Sequence, residues 1–311
     1  MESAAQRIVI TGGAGLVGQN LVLLLRERGW SNLCVLDRSA HNLGVLRTLN
    51  PGIDIVEGDL SQPGPWMHAV GAADVLVLLH AQIGGLVAED FERNNVRATV
   101  AVLAANPRCH VIHVSSSAVN SRAHDWYTCS KRTQEALVLA APNPSCILRP
   151  TLMFGWFDRK HLGWLSRFMR RSLVFPVPGS GLFLRQPLYA RDFCRIIARC
   201  IESRENAVQW NVSGKEKITY IDLVRQMRRA VGSRTPILRI PVWLFRSLLS
   251  LYALADADPP FTVRQLDALL IDELFEDCDW EGRFGLNATP LAEALSETFA
   301  HPVHSQVELC F

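Results

Sequence analysis

Tyr127 and Lys131 stand four residues apart in the run Tyr127-Thr128-Cys129-Ser130-Lys131. At that spacing on a helix a phenol and an ammonium share one face. A cation held near a phenol favours the phenolate and lowers its pKa toward the range of a general base. Spacing alone also describes a solvated helix face. Two features favour chemistry. Among Tyr127, Tyr189, Tyr220 and Tyr252, only Tyr127 has lysine four positions on. The pair also follows a serine-rich strand end, Val114-Ser115-Ser116-Ser117, with Asp125 placed as a helix N-cap.

A second constellation opens the chain: Thr11-Gly12-Gly13-Ala14-Gly15-Leu16-Val17-Gly18. Gly12 permits a tight turn, Gly15 lets the backbone approach a pyrophosphate, and Gly18 lets the next helix pack closely. The helix start at Leu16 and Val17 offers free N–H groups to phosphates. Asp37 follows Gly18 by nineteen residues, at the end of the next apolar run. A carboxylate there accepts hydrogen bonds from adenosine ribose hydroxyls and repels a 2′-phosphate. NAD is therefore the expected cofactor. NADP stays open, because the Arg38 guanidinium beside Asp37 could accommodate the extra phosphate.

These residues need a scaffold, and the apolar pattern supplies one. Strands are predicted at 8–10, 33–36, 53–56, 75–79, 111–114 and 146–148, with helices at 16–28, 87–105 and 125–140. Apolar strands spaced by helices indicate a parallel sheet covered on both faces. The fold class is α/β, a doubly wound parallel (Rossmann) sheet with a smaller C-terminal substrate-binding domain. Residues 1–150 form the dinucleotide-binding domain, and 151–311 are mainly the substrate-binding part, with about 183–212 interleaved with the sheet.

The 311 residues carry a formal net charge of +2, which gives no sign of a nucleic-acid partner. The local cluster Arg167, Arg170 and Arg171 reads as the solvated face of a helix. None of the eight cysteines forms a CxxC pair, most lie in apolar runs, and no metal site is read. The N-terminus shows no basic region followed by an apolar one, and no apolar run is long enough to span a bilayer, so a cytoplasmic location is expected. The stretch 241–254 could lie on a membrane surface, but its length and single Arg246 favour a buried helix of the second domain.

The sequence resembles the extended short-chain dehydrogenase/reductase family, also called the NAD-dependent epimerase/dehydratase family. The resemblance runs through most of the chain. It rests on the glycine loop, Asp37, Gly58-Asp59-Leu60, Leu79-His80-Ala81, Asn95-Val96, Ser115-Ser116-Ser117, Tyr127 with Lys131, Leu148-Arg149-Pro150 and the run from Arg185 to Asp192. It implies that Tyr127 is the acid/base, that Lys131 holds the ribose and tunes the tyrosine, and that Ser117 bonds the reacting oxygen. It also implies that Asp59 contacts adenine, with Leu60, His80 and Ala81 lining the cofactor site. Arg185 becomes a candidate contact for the phosphates of a nucleotide-sugar substrate. Asn95 reads as structural and Asp192 as a helix cap. Thr289 and Pro290 read as N-cap and first position of a closing helix from Leu291 through Leu295. The family commonly pairs as homodimers.

Two departures stand out. Ser117 precedes Tyr127 by only ten residues, so the intervening loop is short, and Gln82 replaces a small residue after His80-Ala81. Ser117 is followed by Ala118 and Val119, not by the Asp-Glu pair of the family's dehydratases. That argues against dehydration. A nucleotide-sugar epimerase working through a keto-sugar is favoured over a keto-sugar reductase or dehydrogenase, which stays open. A non-catalytic dinucleotide-binding role is disfavoured by the intact Tyr127/Lys131 pair.

Overall fold

The computed structural model describes residues 6–122, 124–255, 266–267, 269–276 and 278–310, and for 252–255 the backbone alone. Its centre is a seven-stranded sheet. The first five strands are β1 (Ile8–Thr11), β2 (Leu33–Asp37), β3 (Asp54–Glu57), β4 (Val75–Leu78) and β5 (His110–Val114). The last two are β6 (Ser145–Pro150) and β11 (Val208–Val212). The order is β11-β6-β5-β4-β1-β2-β3, and every pairing is parallel. Every residue of β1, β4 and β5 is buried, because helices cover both faces and leave neither side of these strands to water.

Helices α1 (Leu16–Glu27), α2 (Ala40–Leu49) and α8 (Ala190–Ser203) lie over one face. Ile8, Ile10, Val77 and Ile112 of the sheet meet Leu21, Leu25, Phe193 and Ile197 there. The other face carries α3 (Trp66–Gly71), α5 (Ala98–Ala105) and α6 (Trp126–Ala140), with Val9, Leu76 and Val111 against Trp66, Val102 and Val138. Each such aliphatic side chain, fully buried, contributes about 1.5–3 kcal/mol. The strand order reverses at β1, flanked by β2 and β4, so a cleft opens beyond their carboxyl ends.

The second part is built from short pairs. β7 (Met153–Phe154) pairs with β10 (Leu188–Tyr189), and β8 (Phe175–Pro178) pairs with β13 (Ile237–Ile240), both parallel. β9 (Leu184–Arg185) runs antiparallel to β12 (Ile218–Thr219). Helices α7 (His161–Arg171), α9 (Tyr220–Ala230) and α12 (Leu291–Ala300) enclose a separate apolar cluster that includes Phe154, Met169, Phe175, Met227 and Leu295. Two more helices are α10 (Val242–Ala255) and α11 (Trp280–Phe284).

Four expectations need correction. The helix foreseen at 87–105 is broken into α4 (Ala88–Phe91), a π-helical turn Glu92–Arg97, and α5. That turn carries Asn95, which exchanges bonds with Gln82: the Gln82 N–H donates to Asn95 Oδ1 at 2.6 Å and Asn95 Nδ2 donates to the Gln82 carbonyl at 3.1 Å. Thr289 does not cap α12. Its N–H and hydroxyl donate to Asp192 at 2.9 and 2.8 Å, and the Leu291 N–H is taken up by Glu216 at 2.6 Å. Asp192 is therefore a bridge from the first turn of α8 to the chain before α12, not a cap of its own helix. Finally, α10 is not buried: from Val242 to Leu251 every side chain is half-buried or exposed, because only its Val242/Phe245/Leu249 side turns inward. The side chains of Tyr252 and Leu254 lie outside the described residues. Among the described residues no helix is long and apolar enough to cross a membrane, and no cluster of His, Cys, Asp and Glu could hold a metal.

Candidate active site

The glycine loop joins β1 to α1 at the mouth of the cleft. Gly12 has φ +64°, and a Cβ there would fall 2.6 Å from the His80 backbone. A Cβ on Gly18 would collide with the Gly13 backbone. Both glycines are thus required by the protein's own packing. Gly15 differs: the nearest atom to its added Cβ is the Gly12 carbonyl oxygen at 3.5 Å, an ordinary contact. Nothing inside the chain demands glycine there, so the open side of this position suits the close approach of a ligand. Gly15 caps α1 without a side-chain bond, leaving the first-turn N–H groups around Leu16 and Val17 turned toward the cleft.

Asp37 ends β2 beside this loop. Its carboxylate accepts from the N–H groups of Ala14 and Ser39, each at 3.0 Å. Burial pushes the carboxyl up from its ordinary range, against those N–H groups, which favour the charged form. Arg38 donates to Asn94 at 3.0 Å and Gln82 at 3.2 Å, so its guanidinium is tied to the loop after β4. Asp59 accepts from the Ser61 N–H and hydroxyl at 2.9 and 2.7 Å, Leu60 is buried behind it, and Ala81 is exposed at the end of β4. Asp37, Arg38 and Asp59 thus line the carboxyl edge of β2 and β3, and the arrangement fits the adenosine half of a dinucleotide. The bridge from Arg38 to Asn94 and Gln82 carries no motif that the sequence reading could have caught.

Asp125 caps α6, accepting from the Thr128 N–H at 2.9 Å, and so fixes where the helix that carries Tyr127 and Lys131 starts. Tyr127 is half-buried in the first turn of α6, and the nearby Ser116 hydroxyl favours its charged form. Ser117, singled out from the sequence, is buried and opens the 3-10 turn Ser117–Asn120. Ser116, one residue earlier, accepts from the Ala118 N–H at 3.2 Å and favours the Tyr127 phenolate. Three consecutive serines gave no signal for choosing between them, because strand direction ends within the run.

Lys131 is buried, and its ammonium donates to the Val114 carbonyl at 2.9 Å. Burial pushes it down to about 7, with Glu135 partly opposing. Burial also raises the Tyr127 phenol above its ordinary value, although Ser116 favours the phenolate. The expectation that Lys131 lowers Tyr127 is not met in the protein alone: burial raises the phenol, and the influences that oppose or add to it come from Ser116 and Asp125.

Behind the pair lies a buried polar layer. Thr11 Oγ1 and His80 Nδ1 are 2.7 Å apart, His80 Nε2 and Thr99 Oγ1 are 3.0 Å apart, and Gln134 donates to Thr99 Oγ1 at 2.8 Å. Burial, with Lys131 nearby, pushes His80 down to about 3, so the ring is neutral. Asn95 Nδ2 donates to Ser130 Oγ at 2.8 Å, tying the π-helical turn to α6. His113 is fully buried in β5, and among the described residues neither its ring nitrogens nor the Ser115 hydroxyl has a hydrogen-bond partner. His113 stood inside an apolar strand and drew no notice in the sequence.

Arg185 is buried, and its guanidinium donates to the carbonyls of Leu184, Ile271 and Leu269, with Glu273 at 3.8 Å. In this arrangement the group foreseen as a phosphate contact braces the 269–273 segment. A cavity of about 180 Å³ lies elsewhere, between α7 and the C-terminal segment, lined by Arg167, Arg170 and His304 and by none of Ser116, Tyr127 and Lys131.

Comparison with known proteins follows this geometry. Residues 8–213 match the NAD dependent epimerase/dehydratase family. The chain is 27% identical over 238 residues to a ceramide reductase of Caulobacter vibrioides, covering 75% of this chain and 73% of that protein. It is 23% identical over 308 residues to a 3 beta-hydroxysteroid dehydrogenase/Delta 5-->4-isomerase of Mycobacterium tuberculosis, covering 87% and 82%. The solved UDP-glucuronic acid 4-epimerase of Bacillus cereus, in complex with NAD, superposes with a TM-score of 0.74 at 18% identity, over 95% of this chain and 98% of that one. Its likeness carries the fold alone. The family match spans the glycine loop, Asp37, the Ser116–Tyr127–Lys131 group and the whole central sheet, and on it this chain belongs to the NAD-dependent epimerase/dehydratase family of enzymes.

Proposed function

We propose that this chain is an NAD-dependent oxidoreductase that interconverts a secondary alcohol and a ketone on an apolar substrate. NAD, when bound, supplies the hydride acceptor or donor. The glycine loop and Asp37 bind and orient it, with Asp37 disfavouring a 2′-phosphate. Tyr127 takes the hydroxyl proton during oxidation and returns it during reduction. Ser116 orients the phenol, and Ser117 stays a second candidate for the reacting oxygen. Lys131, anchored on Val114, offers its amine to the ribose site. Ala118 and Val119 supply no acid and base for loss of water.

The observation that carries the substrate reading is Arg185, whose guanidinium is taken up by carbonyls of 184, 269 and 271 and leaves no ready clamp for a diphosphate. Exposed apolar side chains Ile83, Leu86 and Val87 after β4, and Trp126 beside Tyr127, add an apolar rim. The ceramide reductase and the hydroxysteroid dehydrogenase, each matched over more than two thirds of its length, are named for redox chemistry on such molecules.

A second reading is a nucleotide-sugar epimerase that takes a hydride and returns it. The family match, whose name includes epimerases, supports it. Two assays separate the readings. Net NADH oxidation with long-chain or polycyclic ketones supports the first. Inversion of a UDP-sugar with no net change in NADH would replace it with the second.

A further inference from the structure

We propose that α10 and β13 form a docking face for an anionic lipid surface. The proposal does not depend on which substrate the cleft takes. α10 is apolar on two sides. At about 100° per residue, Val242, Phe245 and Leu249 fall on one side, and Val242 packs over Gly179, where an added Cβ would come within 3.1 Å of its Cγ2. Leu244, Leu248 and Leu251, spaced i, i+4, i+7, fall on another side, flanked by Trp243. There Trp243 is 69% exposed, Leu248 51% and Leu251 63%. Leu238, on β13 just before the helix, is 50% exposed. A helix whose second apolar side carries tryptophan and leucines into solvent has the composition of an interfacial helix.

Charge selects the occupant. Residues 223–255 contain six arginines (225, 228, 229, 234, 239 and 246) and no aspartate, glutamate or lysine. Arg225, Arg229, Arg234, Arg239 and Arg246 are exposed. Among the described residues, Asp222 is matched by Arg225 at 2.8 Å and Asp267 by Arg246 at 2.5 Å. Arg239 also favours the charged form of Asp222. A second copy of this chain is a poor occupant. A twofold interface meets its own patch, so arginines would face arginines. An anionic bilayer offers apolar depth for Trp243 and the leucines, and negative headgroups for the exposed arginines of this stretch. β8, beside α10, leads through 179–183 to β9 and Arg185, so docking would set the second part of the chain against the lipid.

The test is flotation of the full chain with vesicles, at low and high salt. One set is phosphatidylcholine alone and the other contains about one third phosphatidylglycerol. Binding to the anionic set, weakened by salt, is expected. The triple variant Trp243→Ser, Leu248→Ser, Leu251→Ser, and separately the pair Arg234→Glu, Arg239→Glu, should each weaken it about tenfold or more while keeping the wild-type melting temperature. Equal binding by the triple variant would overturn the proposal, as would a wild-type chain that ignores anionic vesicles. A dimer in analytical ultracentrifugation that the triple variant dissociates would assign the face to a second copy and overturn it too.

Discussion

Lys131 donates its ammonium to the carbonyl of Val114 at 2.9 Å, pinning α6 to the last residue of the strand that leads into the serines. One bond thereby ties the helix that carries Tyr127 to the serine run. It also buries a cation that burial alone would rather discharge.

That burial has a pH signature. The Lys131 pKa falls from 10.5 to about 7 in the folded chain. Between those values the unfolded chain binds the extra proton, so this group makes stability rise as pH climbs from about 7 to about 10. Lys131→Met should flatten that part of the stability curve. The check is urea unfolding of both proteins at pH 7, 8.5 and 10, comparing their difference at each pH. A difference that stays constant with pH would mean Lys131 is not held discharged.

Tyr127→Phe keeps the ring and removes the proton. Turnover should fall about 10²–10⁴-fold, the range for a lost general acid/base. NAD affinity should hold within about twofold, because the phenol is not part of the adenosine or pyrophosphate site. Single-turnover rates and fluorescence titration of NADH measure both.

Asp37→Ala removes the carboxylate that holds Ala14 and Ser39 and faces the ribose site. NAD should bind more weakly and the preference for NAD over NADP should shrink by about tenfold. Calorimetric titration of both dinucleotides against both proteins reads this directly. Unchanged affinities would remove Asp37 from the cofactor site.

Arg185→Lys keeps the charge but cannot reach three carbonyls with one fork. The account expects a loss of about 1–3 kcal/mol of stability from the orphaned carbonyls around 269–271. KM for the apolar ketone should change little. A large rise in KM for a UDP-sugar with unchanged melting would favour the epimerase reading.

Much of this was legible in the chain itself. The glycine loop, Asp37 and the Tyr127/Lys131 spacing rest on local pattern, and the structure sets all of them at one end of one sheet. The parallel strands were readable because full burial leaves no alternation in β1, β4 and β5. What was not legible depends on distant partners. Thr289 looks like a cap, yet it is held by Asp192, ninety-seven positions away. Arg185 looks like a free cation until the 269–273 segment folds against it. Which of the three serines faces the substrate is set by the backbone turn at Ser117–Asn120, which three identical residues cannot encode. The open outer side of α10 could not be told from a buried helix, because apolar periodicity does not say which side finds a partner.

The central claim is NAD-linked hydride transfer with Tyr127 moving the proton. The most direct measurement is NADH consumption by wild-type and Tyr127→Phe protein across a panel of long-chain and polycyclic ketones, with NADH affinity measured on the same samples. The account predicts one ketone reduced per NADH oxidised by the wild type. It predicts at least about a hundredfold loss in Tyr127→Phe with affinity preserved. Equal rates in the two proteins would contradict it.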